Sequence, residues 1–202
     1  LFLVPGRLTG AQRFQYLAGW TPWIADAVGL AFTIGAVGWT LALVMWPNST
    51  AFPPWIFPAS AVAVFVLRQV RDQVLYAKFG LPGVGGRFGA ALAGLALSYT
   101  VAKAVFAGLL TKNRPFLRTP KETNSVRLGL ASSVGEEAVI LICLTAAIAI
   151  SIGRFDLNDA AAQGWLAMLV VQAAPYVAAI TLGLLDAYGT NVERLMSNLQ
   201  GS

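Results

Sequence analysis

Long apolar runs alternate with short polar breaks along this chain, and the run lengths are the first guide to its structure. Predominantly apolar stretches cover residues 23–46, 56–76, 134–153 and 165–188. Each is close to the roughly 20 residues a helix needs to cross a hydrocarbon core about 30 Å thick. A fifth apolar stretch, 88–110, has similar length. The breaks have turn chemistry. Pro53, Pro54 and Pro58 stop any helix between the first two runs, and residues 81–86, Leu-Pro-Gly-Val-Gly-Gly, form a turn before the fifth stretch. Thr9-Gly10 is expected to start a short amphipathic helix through Trp20 that feeds the first span, and Pro175 is expected to kink the last.

Charge decides which runs cross. One basic loop carries Arg68, Arg71, Lys78 and Arg87; another carries Lys112, Arg114, Arg118, Lys121 and Arg127. Both belong on the cytoplasmic side by the positive-inside rule. A single crossing between them would put one outside. The stretch 88–110, rich in Gly and Ala and with Lys103 in its middle, is therefore expected to lie along the inner interface or to re-enter. The expected fold is an all-α integral membrane protein with four transmembrane helices, two cytoplasmic interfacial helices and both termini cytoplasmic. Its parts are an interfacial helix at 1–22, two spans with their basic loop at 23–87, the interfacial or re-entrant helix at 88–111, a loop at 112–127, and two spans with a short tail at 128–202.

Composition agrees. The 202 residues are 57% hydrophobic and 11% charged, against about 25% charged in an ordinary soluble domain. Membrane lipid is the main expected partner, and nucleic acid is not one. Histidine is absent and Cys143 is the lone cysteine, which excludes a Cys/His metal site and an intrachain disulfide. Cys143 is expected to be a small buried hydrophobe. The chain starts at Leu1 without a signal-peptide pattern, and is expected to be a fragment of something longer.

Acids inside apolar runs are costly and draw attention. Asp26, Glu136, Glu137 and Asp186 are the candidates, expected near the cytoplasmic ends of spans, either paired with Arg or lining a polar entrance. Glu136 and Glu137 are neighbours about 100° apart on a helix, so at most one faces a given groove. Trp20, Trp23, Trp46, Trp55 and Trp165 fit aromatic belts at the two interfaces. Trp39 lies deeper and suits either packing or stacking on a sugar ring. Asp26, Trp39, Glu136 and Glu137 are the candidate lining of a path, with Trp39 sharing a groove with at least one acid. No catalytic set is legible in the sequence.

The order of helices, together with Phe116-Leu117-Arg118-Thr119-Pro120-Lys121 between two apolar segments, resembles the C-terminal membrane region of processive family-2 glycosyltransferases of the bacterial cellulose synthase type. The opening residues 6–17, Gly-Arg-Leu-Thr-Gly-Ala-Gln-Arg-Phe-Gln-Tyr-Leu, are similar to the segment that follows that family's Gln-x-x-Arg-Trp motif. The resemblance implies that 116–121 is a gating loop, Phe-x-Val-Thr-x-Lys in the family, that covers the active site. Phe116, Arg118, Thr119 and Lys121 then approach the nucleotide-sugar donor. Arg118 stands where the family has Val. The family's acidic donor- and metal-binding motifs have no counterpart here. The resemblance thus implies no cofactor in this chain, with nucleotide-sugar and divalent metal held by a separate catalytic domain. That domain, its N-terminal helices and a growing glycan are the implied partners, and the bacterial cytoplasmic membrane is the implied location. The competing reading is a non-catalytic accessory or structural subunit of a larger complex.

Overall fold

The structure, a computed structural model, describes residues 9–80, 83–111 and 134–200, with side chains as far as residue 188. All of its secondary-structure elements among the described residues are helices: α1 (Gly10–Met45), α2 (Ile56–Lys78), α3 (Val84–Ala96), α4 (Ser98–Leu110), α5 (Gly135–Arg154) and α6 (Ala160–Gln200). The expected membrane-helical class is correct. Four stretches are long and apolar enough to cross a bilayer: Gly10–Met45, Val84–Leu110, Gly135–Arg154 and Ala160–Tyr188.

That set differs from the expected one in two members. Val84–Leu110 qualifies although its charge context argued for the interface. Ile56–Lys78 does not, because Arg68, Arg71, Asp72 and Lys78 dilute its second half. Yet α2 lies alongside α6 in the same direction. Pro58, near its start, packs on Gly164, where an added Cβ would sit 3.5 Å from the proline ring. Two to four turns further along, Val64 to Arg71 share a cavity with Val171 to Tyr176 of α6. Arg68 and Asp72 are turned toward protein there, whereas Arg71 and Lys78 stay exposed.

Helix starts follow local chemistry. Thr9 caps α1, its hydroxyl accepting from the Gln12 N–H at 3.3 Å while Gln12 Oε1 accepts from the Thr9 N–H at 2.9 Å. This reciprocal pair fixes the start of the helix where the sequence placed it. The end is not where it was expected. There is no separate helix over 1–22 among the described residues: α1 runs unbroken for 36 residues through Pro22, about 54 Å at 1.5 Å per residue. In the same way α6 continues through Pro175 for 41 residues. In α5, Glu136 and Glu137 occupy the first turn and Arg154 the last, matching the helix dipole at both ends.

The stretch 84–110 is two helices meeting at Leu97. α3 packs on α6 and α2, whereas α4 packs on α1. Each half has 13 residues, about 20 Å, so neither half alone reaches across a 30 Å core.

Aliphatic, small and aromatic residues together make the core. Ala36, Leu43, Leu144, Ala147, Trp165, Met168, Leu169 and Tyr176 join α1, α5 and α6. Trp165 is a correction to the belt assignment: it is 4% exposed, and its indole N–H donates to the Thr40 hydroxyl at 3.0 Å. Trp20, Trp23, Trp46 and Trp55 are exposed as a belt requires. Cys143 is also exposed rather than buried. The two connections at the opposite end from Gly10 touch each other, Phe52 and Phe155 meeting edge to face at 5.0 Å.

Candidate functional site: a cavity around an ion pair in the helix bundle

Asp26 and Arg68 form the centre of the site. Asp26 sits sixteen residues into α1 from Gly10, about 24 Å along the axis, and its side chain is 7% exposed. Arg68 Nη1 donates to Asp26 Oδ1 at 2.5 Å. The other end of the guanidinium, Nη2, donates to Ser98 Oγ at 3.2 Å and lies 3.4 Å from the Gly94 carbonyl. Gly94 and Ser98 flank the break at Leu97, where the helical ladder is interrupted. The Ser98 hydroxyl also donates to the Gly94 carbonyl, at 3.4 Å. A backbone acceptor loosened by a helix break must find another donor in a dry interior, and Arg68 supplies it. One side chain therefore ties α1, α2 and the α3–α4 junction together.

Around this node is a cavity of about 560 Å³, a size usual for small-molecule sites. Its walls come from α1, α2, α6 and the α3–α4 junction. Phe32, Phe65, Tyr99 and Tyr176 supply aromatic faces, and Thr33, Ser60, Ser98 and Gln172 supply polar groups. Pro175 also lines it; a proline has no N–H, so the Val171 carbonyl, another wall residue, lacks its helical donor. Both polar atoms of the Gln172 amide are buried without a hydrogen-bond partner. Leaving such a group unmatched costs about 1–3 kcal/mol.

Tyr99 links the cavity to a second cluster. Its ring lies 6.3 Å from that of Tyr176, and its hydroxyl donates to Glu136 Oε2 at 2.7 Å. The same carboxylate oxygen accepts from Lys103 Nζ. Tyr99 and Lys103 are four residues apart on one face of α4, so Glu136 joins α4 to the first turn of α5.

The sequence candidates divide accordingly. Asp26 is in the cavity, paired with Arg68, one of the two expected arrangements. Glu136 is more than half exposed in its ion pair. Glu137 turns inward at 6% exposure, near enough to Tyr99 and Tyr176 to interact electrostatically. Trp39 does not line this cavity. It is thirteen residues beyond Asp26 on α1, about 20 Å along the axis. Its indole N–H donates to the Ala51 carbonyl at 3.2 Å in the first connection, so Trp39 and Asp26 do not share this cavity. Asp186 is exposed on α6. Phe116, Arg118, Thr119 and Lys121 lie outside the described residues.

Sequence reasoning missed Ser98, Tyr99, Gln172 and Tyr176, and counted Arg68 only as positive charge in a loop. A signal was present for two of them: Arg68 and Gln172 are polar residues inside otherwise apolar helices. Among the described residues there is no group of three or more His, Cys, Asp or Glu placed to hold a metal ion. Comparison with protein-family models, curated proteins and solved structures gave no match to this chain.

Proposed function

We propose that this chain is the membrane region of a processive family-2 glycosyltransferase, providing part of the path by which a growing glycan leaves the catalytic site. The observation that carries this reading is the Phe-x-x-Thr-Pro-Lys block at 116–121, placed in the chain between α4 and α5. The largely apolar cavity, with its few polar groups, is compatible with it. A sugar has apolar ring faces and a rim of hydroxyls, and this cavity offers aromatic walls with a few hydroxyls and an ion pair among them. The nucleotide-sugar and its divalent metal belong to a catalytic domain outside these 202 residues.

The same reading places the chain in a bacterial cytoplasmic membrane with both ends in the cytoplasm. α1, α2, α5 and α6 cross, while α3 and α4 dip in and return. The break at Leu97, the different packing partners of its two halves and the basic residues flanking 84–110 support this arrangement. Single cysteines at Gly85 and Leu110, in a Cys143→Ser background, are expected to react with an impermeant maleimide from the cytoplasmic side only. Labelling of Leu110 from outside alone would establish a crossing instead, and would put the 116–121 block on the wrong side for a donor.

The function itself is tested at the loop. Lys121 and Thr119 are suited to diphosphate contacts. Charge-assisted hydrogen bonds are worth about 1.5–3 kcal/mol, or roughly ten- to a hundredfold in rate. In membranes from cells expressing the native gene, Lys121→Ala is expected to lower nucleotide-sugar incorporation into polymer by that factor, and Thr119→Ala by less, with insertion unchanged on immunoblots. Wild-type turnover by Lys121→Ala at both limiting and saturating donor would contradict the assignment. Absence of any donor-dependent polymer from wild-type membranes would favour the accessory-subunit reading.

A further inference from the structure

α1 and α2 both wall the cavity, yet they do not pack along each other: α1 rests on α4, α5 and α6, and α2 on α3 and α6. The Arg68–Asp26 pair bridges the gap between them. Two exposed stripes border this gap. Thr21, Ala25 and Val28 on α1, with Ser60, Val64 and Leu67 on α2, line the cavity and are also open to the outside. In a membrane-embedded chain that outside is lipid. The interior offers little to a polar occupant. The hydroxyls of Thr33, Ser60 and Ser98 each donate to a backbone carbonyl three or four residues earlier, and that of Tyr99 donates to Glu136. Water there would find few uncommitted donors among the 2–4 polar partners it needs. Left empty, the gap would forfeit the dispersion contacts of its apolar walls.

We infer that the gap between α1 and α2 is a lipid site, in which one acyl chain of a phospholipid lies in the cavity and its phosphate meets Arg71. Length fits this occupant. The lining runs from Thr21 to Thr33 on α1, twelve residues or about 18 Å, close to the roughly 15 Å depth of one leaflet of a 30 Å core. Charge fits as well. Arg71 is half exposed at one end of the α2 wall. It commits Nε and Nη2 to Asp72, and among the described residues its Nη1 is left for a phosphate oxygen. Trp20 and Trp23, both exposed, flank Thr21 at the corresponding end of α1, as Trp does at headgroup level. A helix 10–12 Å across cannot run the length of a gap bridged by Arg68 and Asp26, whereas a flexible chain can lie beside the bridge. The inference does not rest on the glycan-path reading; under that reading the lipid seals the side of the path between α1 and α2.

The test uses the full chain in nanodiscs containing equal amounts of dioleoyl phosphatidylglycerol and dioleoylglycerol, transferred to mild detergent and weighed by native mass spectrometry. A single retained phosphatidylglycerol per chain is expected, favoured about fivefold over dioleoylglycerol, the effect of one cation at a lipid surface. Arg71→Ala should erase that preference. Gly29→Phe places a ring where an added Cβ meets nothing within 4 Å, and should lower retention of both lipids by about tenfold. Gly35→Phe, equally unobstructed but outside the cavity lining, should leave retention unchanged. Val64→Trp fills the gap from the α2 side and serves if Gly29→Phe fails to fold. Absence of retained lipid from the wild-type chain, or wild-type retention in both filled variants, overturns the site. Equal retention of the two lipids by the wild-type chain overturns the phosphate contact at Arg71.

Discussion

Arg68→Ala is expected to destabilise the bundle by about 3–5 kcal/mol, the range for removing one partner of a buried ion pair. The Asp26 carboxylate is short and its side chain is 7% exposed. Without Arg68 it is left as an uncompensated charge with little access to water. The Ser98 hydroxyl and the Gly94 carbonyl lose their link to α2 at the same time, so the junction at Leu97 loosens as well. Asp26→Asn should cost less. The Arg68 side chain is long and 26% exposed, so it can swing toward the cavity mouth and rehydrate. The double substitution Asp26→Leu with Arg68→Met removes both charges and should recover most of the loss, because similar-sized apolar replacements of a buried pair are often neutral. Denaturant titration in mixed micelles, followed by helical circular dichroism, measures all four proteins. Wild-type stability in Arg68→Ala, or a double variant no better than Arg68→Ala, would contradict the ion-pair account.

Trp165→Ala is expected to cost a comparable amount, about 3–5 kcal/mol, as for other large aromatic residues removed from a packed core. Trp165 fills the space between α6 and α1 and donates to Thr40, which is fully buried. In lipid the loss is one of packing contacts more than of water exclusion, since the alternative surroundings are also apolar. Trp165→Phe keeps one aromatic ring but removes the Trp165–Thr40 hydrogen bond together with the rest of the indole, and an intermediate loss of about 1–3 kcal/mol is expected. Trp55→Ala removes a side chain that is 75% exposed, and serves as the control with a much smaller effect. The same micelle titration ranks the three. A Trp55→Ala loss equal to that of Trp165→Ala would mean that Trp165 is not the core residue seen here.

Sequence reading reached the membrane class, the helix at Thr9 and the general positions of the apolar helices. These follow from properties local to a segment. A capping box needs only residues four apart at most, and a span needs only enough apolar length. The aromatic belt was legible for Trp20, Trp23, Trp46 and Trp55 for the same reason. Trp165 has the same local context as those four, at the polar end of an apolar run. Nothing in that context reveals that Thr40, 125 positions away, takes its indole N–H and draws it inward.

The amino-acid sequence by itself determined that this chain is helical and membrane-embedded, with acids and basic residues rare enough to mark places of interest. Only the tertiary structure decided which of those residues meet. Asp26 and Arg68 are 42 positions apart, and Arg68 and Ser98 another 30. They come together because α1, α2 and the α3–α4 junction converge on α6 and its neighbours. α2 illustrates the physical reason most directly. Its own composition disqualifies it as a span, because hydropathy scores each charge as if it faced lipid. A charge at the centre of a crossing helix costs about 2.5–3.5 kcal/mol on insertion scales. Asp26 offsets that cost for Arg68, and a partner on another helix has no signature in the local sequence.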